Sequence, residues 1–370
     1  MKLMFYINTI SHGGAERVIV NLATDLSERG HDCLLVTSFK TPKFEYQYGD
    51  KVCRISMTEK RIDSTIKRNL QYISTLHRLV RMHKPDVLIS FMPEANNRAL
   101  IATIGTRTKT IISVRSDPNN EYRGRLYRFL AKYLYRKCDG IVFQTEEAKQ
   151  WFPKAIQRKG EIILNQVDEI FFSTKYEGVR QGIVATGRLT APKNHRMLID
   201  AYTCIKDSVD DKLMIYGDGP LLSELHEQIE NNGVKENVML KGNTNDVPSA
   251  LKAAKVYVLS SNFEGLPNAL MEAMALGLPC ISTDCPCGGP RMLFGEELKE
   301  WLVPVGDESI MAEKILKLLG DEGLRIKVGE LCRRRAELFK PDVIINEWEN
   351  YIMKISANNV ERINENIAYY

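Results

Sequence analysis

Short apolar runs alternate with amphipathic segments along almost the whole chain. The first half contains seven runs that predict strands, at residues 2–7, 33–38, 52–55, 86–91, 109–114, 140–144 and 161–164. The second half contains six more, at residues 182–186, 212–217, 237–242, 255–260, 278–283 and 301–305. In the intervening segments the apolar residues recur every three or four positions, which indicates helices with one buried face. Nearly continuous apolar strands separated by helices are typical of parallel sheets covered on both faces.

The alternation is interrupted once, between residues 165 and 181, and then starts again. A chain of 370 residues is also longer than one domain of ordinary size. We therefore predict an α/β protein with one Rossmann-like doubly wound domain over residues 1–166 and a second over 167–340. Residues 341–370 are predicted to form a helical segment that packs across one of the two domains. If the domains face each other, ligands are expected in the cleft between them, beyond the carboxyl ends of the strands.

Composition excludes several classes of protein. Hydrophobic residues make up 44% of the chain and charged residues 26%, so the chain can bury large cores and is not disordered as a whole. The first residues carry no secretory signal, and no apolar run approaches the ~18 residues of a membrane span. The eight cysteines are scattered, which suits reduced thiols in a cytosolic protein. Cys285 and Cys287 lack a second pair at zinc-ligand spacing, so no metal site is predicted there.

A glycine pair, Gly13 and Gly14, follows the first predicted strand and opens a helix. Glycines let the backbone approach a ligand closely, and the free N–H groups of a helix N-terminus attract anions. The loop is neither the dinucleotide fingerprint nor the ATP-binding loop, so neither of those ligands is indicated. An ordinary tight turn explains the pair equally well.

Two cations follow the strand at 182–186, because Arg188 and Lys193 both precede the next predicted helix. An arginine fork and a lysine point charge could together neutralise a diphosphate. Taken singly, each could equally be a solvated surface charge. After the next strand, Gly217 opens a tight turn that clears space at the same edge of the sheet.

Two carboxylates flank the start of an otherwise apolar helix after the strand at 255–260. Glu264 lies in the loop, Pro267 fits the first helical position, and Glu272 falls in the second turn. A carboxylate there leans towards the helix N-terminus and can accept two adjacent ribose hydroxyls. A dipole-favoured helix acid and a surface loop acid are the plainer interpretations of each residue alone. Their placement on strand ends of the domain that carries Arg188 and Lys193 favours a shared site.

The chain resembles a known family at these positions. The run 264–272 (EGLPNALME) matches the E-x7-E motif of the retaining GT-B glycosyltransferases of family four, and GRLTAPK (187–193), GDG (217–219) and GGAER (13–17) match further segments. Residues 163–168 resemble the interdomain Asn-Gly-Val-Asp of the family, with Gln166 in place of the glycine. The resemblance covers nearly the whole chain, and E-x7-E together with Arg-x4-Lys is its specific part.

The resemblance implies the GT-B architecture, two Rossmann-like domains facing across a cleft, and a nucleotide-sugar donor bound without a metal or other cofactor. It assigns Arg188 and Lys193 to the diphosphate of the donor, and Glu272 to the ribose. The transferred sugar would contact Glu264 and the backbone of Gly265, Leu266, Pro267 and Asn268. The Gly14 backbone would contact the phosphates, and Gly217 would belong to the donor loop. Glu264 and Arg115 are the residues predicted to be catalytic. Arg115 stands where many family members have a histidine, and Met292 replaces an acidic residue often found after Gly-Pro-Arg.

A basic segment at 121–138 is predicted to be one amphipathic helix. It carries Arg123, Arg125, Arg128, Lys132 and two further cations against one glutamate, along an apolar stripe of Leu126, Phe129, Leu130, Tyr133 and Leu134. Such a helix is typical of an element attracted to an anionic membrane surface, or of a site for a lipid diphosphate. A core-packed helix with a solvated basic face is the alternative. A second basic segment, around residues 60–84, favours the membrane interpretation.

These observations predict a cytoplasmic enzyme, peripheral on the cytoplasmic face of the inner membrane. It would transfer a hexose or N-acetylhexosamine from a UDP-sugar to a polyprenyl-diphosphate-linked saccharide, with retention, in bacterial surface or protein glycan assembly. One alternative is an enzyme of the same fold without a lipid acceptor, such as an epimerase or a polysaccharide synthase. Another is a protein that binds nucleic acid or an anionic surface, but nucleic acid is not expected, because acids at a helix start repel phosphate backbones.

Overall fold

The computed structural model describes residues 1–11, 13–41, 44–61 and 63–367, and it describes side chains up to residue 357 other than those of Leu126 and Leu130. The chain forms two compact units. The first comprises Met1–Asn165 together with the residues from Asp342 onward, and the second comprises Gln166–Pro341. Each unit is built around one parallel sheet, so the prediction of two parallel α/β sheets is confirmed.

The first unit contains a seven-stranded parallel sheet in the order β3-β2-β1-β4-β5-β6-β7. Its strands are β1 (Lys2–Ile7), β2 (Asp32–Phe39), β3 (Cys53–Thr58), β4 (Val87–Phe91), β5 (Lys109–Ser113), β6 (Gly140–Phe143) and β7 (Gly160–Ile162). Its helices are α1 (Gly14–Glu28), α2 (Thr65–His83), α3 (Pro93–Ala102), α4 (Pro118–Glu121), α5 (Arg125–Leu134), α6 (Glu146–Gln150) and α7 (Lys154–Gln157).

Both faces of this sheet are buried, as its continuous apolar strands predict. Met4 and Tyr6 of β1 pack with α2 and α3 in one core. Leu3 and Phe5 point to the opposite face, where they are also fully buried and α1 packs on β1. A strand covered on both faces tolerates polar residues mainly at its ends, which leaves the loops after the strands to carry chemistry.

The C-terminal helix belongs to the first unit. In chain order it is α16 (Pro341–Ile367). Trp348 is fully buried and stacks on Phe91 with ring centroids 5.8 Å apart. The Tyr351 hydroxyl accepts a hydrogen bond from the Ile141 N–H at 2.8 Å and donates one to the Lys159 carbonyl at 2.5 Å. The apolar spacing of the helix therefore reflects a face that completes the core of the first unit.

The second unit contains a six-stranded parallel sheet in the order β10-β9-β8-β11-β12-β13. Its strands are β8 (Ile183–Thr186), β9 (Leu213–Tyr216), β10 (Val238–Gly242), β11 (Val256–Leu259), β12 (Cys280–Thr283) and β13 (Leu302–Val303). Its helices are α8 (Glu169–Ser173), α9 (His195–Ile205), α10 (Leu222–Asn231), α11 (Val247–Lys252), α12 (Asn268–Ala275), α13 (Gly289–Phe294), α14 (Glu308–Gly320) and α15 (Glu322–Ala336).

The prediction of one helix over 121–138 is wrong. α4 ends at Glu121, the chain turns through Gly124 at a φ of +92°, and α5 begins only at Arg125. Glycine reaches this left-handed region without the steric penalty of a side chain, and so it permits the break. The remainder of the segment, Tyr135–Lys137, is a 3-10 turn. The cations are therefore divided between a turn, a helix of ten residues and a second turn.

None of the helices in the described part of the chain contains a stretch that is long and apolar enough to span a bilayer.

Candidate functional site

The strand order of the second unit places two loops side by side at the carboxyl edge of its sheet. β8 and β11 are neighbours, and the chain runs outward from them in opposite directions. Such a topological switch point leaves a crevice between the loops that follow the two strands, where open α/β sheets bind ligands. Here these are the loop 187–194 after β8 and the loop 260–267 after β11. We refer to them as the β8 loop and the β11 loop.

Hydrogen bonds fix the β8 and β11 loops to each other. The Asn262 N–H donates to the Pro192 carbonyl at 2.8 Å, and the Asn262 side chain donates to the Ala191 carbonyl at 3.0 Å. Asn194 donates from its amide to the Asn262 Oδ1 at 2.9 Å, and the Ser260 hydroxyl donates to the Lys193 carbonyl at 3.1 Å. The sequence analysis did not single out Ser260 or Asn262. Their signal is positional, because polar side chains stand directly after a buried strand.

The cross-linked loops bring Lys193 and Glu264 together. Lys193 Nζ lies 2.5 Å from Glu264 Oε1, and the side chains are 20% and 14% exposed. The Ser261 hydroxyl donates to the same carboxylate oxygen at 2.8 Å. Arg188 lies in the same β8 loop with an exposed side chain. The β8 and β11 loops thus hold a partly buried ion pair in a fixed position, and the β8 loop also carries an exposed arginine.

Glu272 is a buried acid in the second turn of α12. It is 5% exposed, and α12 is otherwise apolar and packs against α15. The helix begins at Asn268 with Pro267 as its extended N-cap residue, so Pro267 precedes the first helical position by one residue. Burial raises the pKa of the Tyr257 phenol in β11, and the charges of Glu272 and Glu264 raise it further. The charges of both carboxylates therefore reach the Tyr257 phenol.

Glycines permit the close approach of the loops at this edge. A Cβ on Gly217 would lie 2.0 Å from the Gly187 carbonyl oxygen, and the φ of Gly217 is +148°. A Cβ on Gly289, at the start of α13, would lie 1.9 Å from the Gly265 carbonyl oxygen. The first contact holds the turn after β9 against the β8 loop, and the second supports the β11 loop from below. Sequence reasoning included Gly217 and missed Gly289.

His195 is a further residue that sequence reasoning missed. It opens α9, is 5% exposed, and both ring nitrogens are buried without a hydrogen-bond partner. Burial lowers the pKa of its imidazole to about 4, while the backbone of Gly187 and Arg188 opposes part of this shift. The ring is therefore neutral at ordinary pH and lies beneath the β8 loop.

A cavity of about 580 Å³ adjoins the β11 loop in the second unit. Asn262 lines it together with Asp284 and Arg291, which form an ion pair at 2.8 Å. A volume of this size is in the range of small-molecule sites.

Gly14 and Arg115 lie in the first unit. Gly14 is the first residue of α1 and follows Gly13, whose backbone is extended. Arg115 is 7% exposed, and its guanidinium donates hydrogen bonds to Asn165 and to the Ser113 hydroxyl. The guanidinium also lies 4.5 Å from the centroid of the Phe91 ring, and burial lowers its pKa to about 9. Arg115 thus supports the interior of the first unit, and its catalytic role stays a prediction.

The four predicted acceptor or membrane residues lie on the surface of the first unit. Arg123, Arg125 and Arg128 are exposed, and Lys132 lies 4.2 Å from the centroid of the Trp151 ring. Phe129 and Tyr133 of α5 are 65% and 57% exposed and stack on each other at 6.1 Å. Two aromatic members of the predicted stripe are therefore exposed, whereas the side chains of Leu126 and Leu130 lie outside those that the structure describes.

Comparisons with known proteins agree with the two units. Residues 12–169 match the family model described as Glycosyltransferase Family 4, and residues 180–321 match the model described as Glycosyl transferases group 1. Two Campylobacter jejuni relatives are each 29% identical, and each alignment covers 99% of the relative. One is the GalNAc-alpha-(1->4)-GalNAc-alpha-(1->3)-diNAcBac-PP-undecaprenol alpha-1,4-N-acetyl-D-galactosaminyltransferase, aligned over 96% of this chain. The other is the N-acetylgalactosamine-N,N'-diacetylbacillosaminyl-diphospho-undecaprenol 4-alpha-N-acetylgalactosaminyltransferase, aligned over 95%.

A solved structure shows the same fold. Anabaena Alr3699/HepE in complex with UDP matches with a TM-score of 0.80 at 18% identity, over 96% of this chain and 100% of that one. The chain thus has the GT-B fold, and with both of its units matched by family models it belongs to the family four (group 1) glycosyltransferases.

Proposed function

We propose that this glycosyltransferase moves a hexose or N-acetylhexosamine from a UDP-sugar to a polyprenyl-diphosphate-linked saccharide, with retention of configuration. One observation carries the proposal: the cross-linked loops at the switch point of the second unit hold Lys193 against Glu264, and the β8 loop also carries the exposed Arg188. The acceptor class is supported by the Campylobacter relatives, whose names contain an undecaprenol-linked saccharide. The uridine nucleotide is supported by the HepE complex.

The donor would be held by charge and by hydrogen bonds from this edge of the sheet. Arg188 and Lys193 would neutralise the diphosphate, and the N-terminus of α12 would add its free N–H groups. The Glu272 carboxylate would accept hydrogen bonds from two ribose hydroxyls. In this arrangement side-chain cations supply the charge that a metal ion supplies in other transferases, and we propose that no metal is needed.

Glu264 would act on the transferred sugar. Its carboxylate already accepts hydrogen bonds from Lys193 and Ser261, which fix its position before a substrate arrives. When the diphosphate binds, Lys193 can turn towards it, and Glu264 then faces the sugar with its negative charge. A carboxylate at that point stabilises positive charge that develops on the anomeric carbon in the transition state. The Gly14 backbone would contribute to phosphate binding from the first unit.

The acceptor would reach the enzyme at a membrane surface. Phe129 and Tyr133 expose aromatic rings next to the cations Arg125 and Arg128 on α5. Aromatic side chains favour the membrane interface, and each nearby cation adds about 1 kcal/mol of attraction to anionic lipid. We propose that the protein works on the cytoplasmic face of the inner membrane without crossing it.

The test is turnover of a panel of UDP-sugars with and without a short-chain polyprenyl diphosphate that carries an N-acetylgalactosaminyl saccharide. Wild type is compared with Glu272→Ala and Arg188→Ala, and with the control variants Glu227→Ala and Arg196→Ala, which remove exposed charges from α10 and α9. We expect product only with the lipid acceptor, loss in the first two variants, activity in the controls, and no effect of EDTA. Proton NMR of the product gives the anomeric configuration. Sugar-nucleotide turnover without acceptor, or full activity of Glu272→Ala, would contradict the proposal.

A further inference from the structure

The first unit also has a topological switch point, and a cavity lies there. β1 and β4 are neighbours from which the chain runs outward in opposite directions. The cavity has a volume of about 550 Å³ and is lined by Asn8 after β1 and by Pro93 and Glu94 after β4. Residues of α2 and α5, among them Tyr72 and Tyr127, complete its wall. Its place and its volume are those of a ligand site in an open α/β sheet.

The innermost charges of this cavity already have partners. Arg98 is 2% exposed and donates hydrogen bonds to Asn8 Oδ1 at 2.6 Å, Asn69 Oδ1 at 2.9 Å and Glu94 Oε2 at 3.0 Å. Its guanidinium also lies 5.2 Å from the centroid of the Tyr72 ring. The positive charge of Arg98 is therefore neutralised within the protein and is not aimed at an anion.

Two other lining residues hold acceptor oxygens without partners. Both carboxylate oxygens of Glu121 and the Oδ1 of Asn97 are buried and accept no hydrogen bond. The nearby Arg115 donates to Ser113 and Asn165, and Asp117 caps α4, so neither partners Glu121. Burial raises the pKa of Glu121 to about 7; the Asp117 charge adds to the shift and the Arg115 charge opposes it. An unpaired buried acceptor costs about 1–3 kcal/mol, which a donor supplied by a ligand would recover.

We propose that this cavity binds the terminal sugar of the acceptor saccharide, with Glu121 and Asn97 accepting hydrogen bonds from its hydroxyl or acetamido N–H groups. The inference rests on the proposed function, since it names the residues of the first unit that would recognise the acceptor. Because both oxygens of Glu121 are buried in the wall, binding would require its side chain to rotate so that the carboxyl faces the cavity. The ring of Tyr127, which also lines the cavity and is 66% exposed, offers an apolar face for the C–H groups of a sugar.

The unpaired acceptor oxygens of Glu121 and Asn97 favour a saccharide over an anion as the ligand of this cavity. A phosphate group brings acceptors and leaves Glu121 and Asn97 unsatisfied, whereas a sugar brings several O–H donors. Arg61 and Arg68 also line the cavity, so inorganic diphosphate is the informative competitor.

Saturation-transfer NMR on the full chain tests the proposal with three probes: the methyl α-glycosides of N-acetylgalactosamine, N-acetylglucosamine and galactose. We expect at least one to bind wild type, and to bind Glu121→Ala and Asn97→Ala at least tenfold more weakly. Glu121→Gln, which resembles the protonated acid, should bind within a few-fold of wild type. The control Glu146→Ala removes an exposed carboxylate from α6 of the same unit and should bind as wild type does.

UDP affinity is measured in parallel, because the side chains proposed above to bind UDP all belong to the second unit. Unchanged UDP affinity in the variants shows that they are folded. Saccharide binding that is equal in wild type and Glu121→Ala overturns the proposal. So does the absence of saccharide binding to a wild type that binds UDP, or displacement of the saccharide by inorganic diphosphate. Each of these results leaves the turnover test of the proposed function to be decided separately.

Discussion

The two units share a fold plan but differ in the chemistry at their switch points. In the second unit, the loops beside β8 and β11 are tied by four hydrogen bonds and carry the Lys193–Glu264 ion pair. In the first unit, the groups beside β1 and β4 include oxygens of Glu121 and Asn97 that accept no hydrogen bond. The same backbone arrangement thus carries a carboxylate with hydrogen-bond partners in one unit and acceptor oxygens without partners in the other. The difference follows from side chains on loops, which the sheet positions but does not specify.

The largest effect is expected from Glu264→Gln in the second unit. The amide keeps the shape of the side chain but removes the charge that would face the sugar. We expect turnover to fall about 10²- to 10³-fold, the usual cost of losing one electrostatic contact to a transition state. UDP affinity should change little. Steady-state rates and UDP titration of the same preparation measure the two quantities.

Ser261→Ala is the companion variant for Glu264→Gln. It removes one hydrogen bond to the Glu264 carboxylate but keeps the charge, so we expect a loss of about tenfold or less. If Ser261→Ala and Glu264→Gln lose equal activity, the position of the Glu264 side chain matters rather than its charge. The charge of Glu264 would then not be what sets the second switch point apart from the first.

The two buried titratable groups should give the two units opposite pH dependence. His195 has a folded pKa of about 4, below the ordinary value of 6.5, so the unfolded chain binds more protons between these values. Its contribution to stability is full above 6.5 and is lost as pH falls towards 4. Glu121 has a folded pKa of about 7, above the ordinary 4.5, so its contribution is full below 4.5 and is lost as pH rises towards 7. Each contribution is on the order of 3 kcal/mol.

Urea unfolding between pH 4 and 8 measures both contributions through difference curves against His195→Asn and Glu121→Gln. Each substitution changes packing at every pH, so the slope of the difference is the informative quantity. The wild type should gain free energy of unfolding over His195→Asn as pH rises, and should lose it relative to Glu121→Gln. If the two difference curves slope in the same direction with pH, the pKa values of His195 and Glu121 are not shifted in the directions given above.

The strands were predictable because most of them are buried on both faces. All thirteen predicted runs correspond to observed strands, and their ends differ from the observed ends by at most three residues. Continuous apolar segments leave few alternatives to a covered parallel strand when helices intervene. The positions of Arg188, Lys193 and Glu264 at strand ends followed from the same pattern.

Contacts between loops could not be predicted in this way. The Lys193–Glu264 pair joins residues 71 positions apart, and nothing in either loop alone specifies the partner. Gly289 is one of several glycines, and its contact with the Gly265 carbonyl depends on the packing of α13. The break at Gly124 was missed because the basic and apolar residues around it keep a helical spacing on both sides.

Gly289→Ala should disturb the second switch point with a smaller effect than Glu264→Gln. The added methyl would meet the Gly265 carbonyl oxygen at 1.9 Å, so the β11 loop must move. Since Glu264 precedes Gly265, we expect turnover to fall at least tenfold, or about 1.4 kcal/mol. Gly320→Ala is the matched control, because a Cβ there meets nothing within 4 Å. Equal activity of the two variants would show that the loop is not supported by α13.

The smallest effect concerns the surface of the first unit, where α5 exposes two aromatic rings. The double variant Phe129→Ser with Tyr133→Ser removes two side chains that are 65% and 57% exposed. We expect about fivefold weaker binding to vesicles of anionic phospholipid in sedimentation, because each ring contributes a modest apolar burial at the interface. The control pair is Val179→Ser with Ile326→Ser, which are 77% and 57% exposed in the second unit. An equal loss in both pairs would mean that general surface apolarity, rather than α5, contacts the membrane. If added salt weakens vesicle binding but the aromatic double variant does not, the cations rather than the aromatic rings attach the protein to the membrane.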